Sequence, residues 1–171
     1  MLLLGMQLAG YGQAHDSVSV TVSFHIPVMQ SLTIENSPNF ASSFSASEAE
    51  VVDVYRVPKP TQEDLSKGYL KEKDAVTLSA RSNVDWEIQV EAARRYMGTS
   101  DDGEYRKPVS DLEVKADGGN YVAASTASQV IARGEKGKHS VEVDYKVNLD
   151  SQEYRSGDYQ ATLTYIISTR E

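Results

Sequence analysis

Hard oxygen ligands suit calcium, and Asp101-Asp102-Gly103-Glu104 sets three carboxylates around one glycine. An EF-hand loop needs further ligands at fixed offsets and a closing glutamate, and the chain supplies neither. Asp and Gly are ordinary turn residues, so a solvated hairpin tip is the expected role. Asp117-Gly118-Gly119-Asn120 reads the same way, with glycine supplying positive φ. Gly134-Glu135-Lys136-Gly137-Lys138 is a charged turn without phosphate-loop spacing. His15, His25 and His139 are the only histidines, and they stand far apart with no local carboxylate at ligand spacing. No serine occupies a G-x-S-x-G setting. The chain has no cysteine, which excludes thiol catalysis, disulfides and cysteine-based metal centres. The expectation is a protein that is not an enzyme, with no catalytic residues, no metal site and no cofactor.

Arg94-Arg95-Tyr96 and Tyr105-Arg106-Lys107 are the only local basic–aromatic clusters. They suit sugars or acidic partners, or simply cover strand ends with amphipathic side chains. Ten tyrosines against three phenylalanines favour half-exposed sheet faces and binding surfaces. The net charge is -8 and the isoelectric point about 4.9, which argues against nucleic acid as a partner.

The elements that would carry these residues alternate with period two. Val18, Val20, Val22, Phe24 and Ile26 lie on one side of the first such run, with Ser17, Ser19, Thr21, Ser23 and His25 on the other. After Pro27, Leu32 and Ile34 resume the alternation. It returns at residues 51–57, 76–80 and 84–90, the last placing Trp86, Ile88 and Val90 on one face. Leu112 and Val114 mark a shorter run, and residues 121–131 a less regular one. Two long strands are expected at 139–149 and 158–168, separated by a polar loop. Helical signal is confined to one capped turn from Thr61 to Gly68, with weaker helix-forming composition at 91–97. The expected fold is all-β: an immunoglobulin-like sandwich of about seven to nine mostly antiparallel strands, with Trp86 as a core anchor between sheets.

Residues 1–14 read as a secretory signal peptide, with an apolar run to Gly10 and small residues at Gly12 and Ala14. No Lys or Arg precedes that run, which leaves room for a start upstream of Met1. The run is too short to cross a bilayer, so membrane insertion is not expected. Residues 15–171 are expected to form one exported domain, in the periplasm, on the outer cell surface or outside the cell. Within it, 15–26 is either a donor strand or an edge strand of its own sandwich.

The alternating start (SVSVTVSF, 17–24), the proline break at Pro27 and the closing SGDYQATLTYII (156–167) together resemble alternate chaperone–usher fimbrial pilins. The ends are also similar to WxL-like and related surface domains of uncharacterised function. The match covers about a quarter of the chain, plus Trp86 in a central strand. The chain departs from the WxL pattern, with Trp86-Glu87-Ile88 where that family carries Trp-x-Leu. Unlike many chaperone–usher pilins it has no cysteine, and the alternate class tolerates that.

The pilin resemblance implies an incomplete sandwich whose groove accepts the N-terminal strand of another subunit. Val18, Val20, Val22, Phe24 and Ile26 would then be the inserting side chains, and 158–168 one wall of the groove. The expected function is that of a secreted or cell-surface structural or adhesive protein, a fimbrial-type subunit that self-associates or joins other surface subunits. The alternative is a monomeric accessory module that binds carbohydrate or cell-wall polysaccharide.

Overall fold

The computed structural model describes residues 21, 23–35, 40–43, 52–55, 57–149 and 155–170. In chain order the elements are β1 (Gln30–Glu35), β2 (Phe40–Ser43), β3 (Val52–Tyr55), α1 (Gln62–Lys67), β4 (Tyr69–Ser82), β5 (Trp86–Ala92) and β6 (Tyr96–Thr99). There follow β7 (Arg106–Pro108), a 3-10 turn at Val109–Asp111, β8 (Leu112–Ala116), β9 (Val122–Ala123), β10 (Gln129–Gly134), β11 (Gly137–Asn148) and β12 (Leu163–Thr169).

Every strand pairing is antiparallel. One sheet has the order β1-β4-β11-β8-β9 and the other β10-β5-β12; the hairpins β2-β3 and β6-β7 stand apart. The two main sheets together hold eight strands, and the protein is an all-β sandwich. The α1 turn sits where the capping signal puts it. Asp64 N–H donates to Thr61 Oγ1, Thr61 N–H donates to Asp64 Oδ2 at 2.9 Å, and Gly68 ends the helix. None of its residues is buried. The caps therefore supply much of what holds it.

Alternation places the core between the sheets. On β5 the buried side chains are Trp86, Ile88, Val90 and Ala92; on β8 they are Leu112, Val114 and Ala116. Val76, Leu78 and Ala80 of β4 and Val141 and Val143 of β11 face them. Trp86 is only 2% exposed, and its indole N–H donates to Glu135 C=O at 2.8 Å. Its ring meets His139 of the opposite sheet edge-on at 5.3 Å and lies flat enough on Gly134 that a Cβ there would fall 2.2 Å from the ring.

β4 is longer than the period-two run at 76–80, extending from 69 to 82. A bulge between Glu72 and Val76 sets three β4 residues opposite Asp144 alone. Asp74 adopts φ +50° there, and its N–H donates to Asp144 Oδ1 at 2.9 Å. Lys115 holds the second carboxylate oxygen at 2.6 Å. Asp144 is itself buried, and burial pushes its carboxyl up. The Lys115 and Asp74 hydrogen bonds outweigh that, so the net shift is downward.

Candidate assembly groove

Each main sheet ends in an edge strand on the same side of the sandwich. Among the described residues β1 pairs only with β4, and β12 pairs only with β5. Their Cα atoms come within 8 Å, yet no ladder joins them. Apolar side chains on these two strands do not reach full burial. Leu32, Leu163, Tyr165 and Ile167 pack against the core while staying partly exposed, and Ile34 is 38% exposed. Val114 of β8, near the other end of its sheet, is by contrast fully buried.

Edge strands in stable monomers are ordinarily blunted by lysine, proline, bulges or short length. β12 has none of these: its seven residues, LTYIIST, carry no charge and no proline and pair with β5 in unbroken register. Among the described residues no second ladder satisfies its outer edge, and a further strand could pair there only if β1, now within 8 Å, moved aside. Deeper in the groove, the Tyr165 and Tyr145 hydroxyls meet at 2.8 Å and link the two sheets. Burial pushes the Tyr145 phenol up to about 12, partly offset by this bond, and pushes Tyr165 well above its ordinary value. Both remain neutral and leave the groove uncharged there.

Of the alternating N-terminal face, Val18, Val20 and Val22 lie outside the described residues. Phe24 and Ile26 are 82% and 62% exposed, and residues 23–29 belong to no strand or helix. Val28 and Met29 are exposed as well. Asn83 anchors the base of this segment. Met29 N–H donates to Asn83 Oδ1 and Asn83 Nδ2 donates to Pro27 C=O, each at 2.9 Å. Among the described residues of this segment, Phe24, Ile26, Val28 and Met29 are thus apolar side chains that the fold leaves exposed beside a fixed anchor.

The other sequence candidates have local roles. Asp102 and Glu104 both hold the Arg155 guanidinium, at 2.6 and 2.8 Å. Hydrogen bonds from Ser100, the Glu104 N–H and Arg155 bring the Asp102 carboxyl down to about 2. An arginine thus engages two of the three carboxylates in this turn. Alternation splits the Tyr105-Arg106-Lys107 cluster. Arg106 faces solvent, whereas Lys107 is 6% exposed and donates to Asp111 Oδ2 and Asn148 C=O, both at 2.9 Å. Among the described residues no helix is long and apolar enough to cross a membrane. No family model matches the chain, and no curated protein matches it in sequence.

Proposed function

We propose that this chain is an exported structural or adhesive surface subunit that assembles by strand donation, in the manner of a fimbrial subunit. One observation carries it: among the described residues the uncharged β12 edge has no second ladder and stands beside half-covered apolar side chains, while Phe24 and Ile26 of the alternating N-terminal face are exposed. The donor and the acceptor match in chemistry. Residues 17–26 contain no Asp, Glu, Lys or Arg, and the groove is lined by Leu, Ile and Tyr. Inserting Val18, Val20, Val22, Phe24 and Ile26, at about 1.5–3 kcal/mol each, would yield on the order of 10 kcal/mol before ordering costs. Backbone pairing along β12 would add register.

Light scattering on residues 15–171 beside residues 27–171 tests this. Strand donation gives oligomers at full length, and a shortened chain that regains stability when the 15–26 peptide is added in trans. A full-length monomer whose shortened form collapses and ignores the peptide places the segment in its own sandwich. That result would favour the monomeric carbohydrate- or cell-wall-binding module.

A further inference from the structure

A second feature lies where β5 runs into β6. The segment 93–99, together with Arg106 of β7 and the stretch 158–162, encloses an open cleft of about 840 Å3. Backbone hydrogen bonds lace its walls together, from Ala93 N–H to Thr162 C=O at 3.0 Å and from Gln160 N–H to Met97 C=O at 2.8 Å. Gly98 permits this approach: its φ is +156°, and a Cβ there would fall 2.7 Å from the Asp158 carbonyl oxygen. Arg94, Arg95 and Arg106 all line the cleft. The arginine ion pairs among the described residues belong to Arg133 and Arg155, so these three guanidiniums enter none of them. Arg106 stacks over the Tyr96 ring at 4.1 Å, which orients its fork. In a chain of net charge -8, this is a local concentration of positive charge.

We propose that this cleft binds a saccharide bearing a carboxylate, such as a uronic or sialic acid. The planar arginine fork matches a carboxylate bidentately. Thr99, Gln160 and Thr162 are exposed along the cleft and supply donors and acceptors for hydroxyl groups. Asp158 adds a carboxylate that accepts from sugar hydroxyls. The half-exposed Tyr96 ring holds the Arg106 guanidinium at the cleft.

The inference does not rest on strand donation, because binding is read on the full chain whatever its oligomeric state. Calorimetric titration would use trigalacturonate against its methyl ester, and sialyllactose against lactose. At least one acid should bind tenfold or more tighter than its neutral counterpart. The Arg94→Gln/Arg95→Gln/Arg106→Gln chain should lose that difference, with its melting temperature unchanged because these side chains are exposed. The proposal is overturned if neither acid outbinds its neutral partner, if the triple variant keeps the difference, or if equimolar inorganic phosphate displaces the sugar. The ester and lactose comparisons are made on the unmodified chain, so they decide the matter even if the variant folds poorly.

Discussion

Phe24 offers the sharpest perturbation. Its side chain is 82% exposed, so nearly all of its apolar surface is still available for burial. Full burial of such a side chain is worth about 1.5–3 kcal/mol, which puts the loss from Phe24→Ala near 2 kcal/mol, or roughly thirtyfold in a dissociation constant. Ile26, at 62% exposure, scales to about 1.5 kcal/mol, so the pair should weaken donation several-hundred-fold. The assay is fluorescence anisotropy of a labelled 15–26 peptide on the 27–171 chain, with wild-type, Phe24→Ala and doubly substituted peptides. A parallel melt compares full-length wild type with Phe24→Ala. Donation between chains predicts weakened peptide binding and, at concentrations too low for assembly, an unchanged melt. Equal affinity of the three peptides would rule out donation through this face. So would a full-length variant that melts several degrees lower while the peptide fails to bind, because Phe24 would then complete its own sandwich.

Other expectations follow from packing and charge. Trp86 emission should be blue-shifted in the folded chain, and emission near that of free tryptophan would remove it from the core. Gly134→Ala forces a methyl into the Trp86 ring and should cost about 1–3 kcal/mol, read as a lowered denaturant midpoint. Asp144→Ala strips Lys115 and the Asp74 N–H of their partner and should cost about 2–3 kcal/mol, seen in the same measurement. Because the folded Asp144 carboxyl lies below its unfolded value, its contribution is present above about pH 4 and is lost as pH falls through the folded value. Asp144→Asn should flatten that acid limb, and an unchanged limb would assign the acid sensitivity elsewhere. Chelators should leave the melting temperature unmoved; a fall restored by calcium would instead give Asp101, Asp102 and Glu104 a ligand role.

Period two alone determined the all-β class and the faces of β5, β8 and β11, because a half-buried strand must alternate. Local capping chemistry likewise fixed α1 at Thr61–Gly68. The sequence was silent wherever pairing partners decide the outcome. β4 extends back to Tyr69, through charged residues that break the apolar pattern, because β11 runs alongside to receive it. The strand expected from 158 begins as β12 only at 163, since Gln160 bonds first to Met97 of β6 and Thr162 to Ala93 in the β5–β6 connection. The same lacing turns 93–97, helix-forming in composition, into a connection and a strand. Both basic–aromatic clusters were legible, yet only the β6–β7 hairpin brings Arg106 beside Arg94 and Arg95. The free edge is likewise a property of topology. Nothing within LTYIIST says that β12 will lack a second ladder among the described residues; that follows from β1 belonging to the other sheet. Local patterns specify which face of a strand is apolar, and only the long-range order of strands specifies which edge is left unpaired.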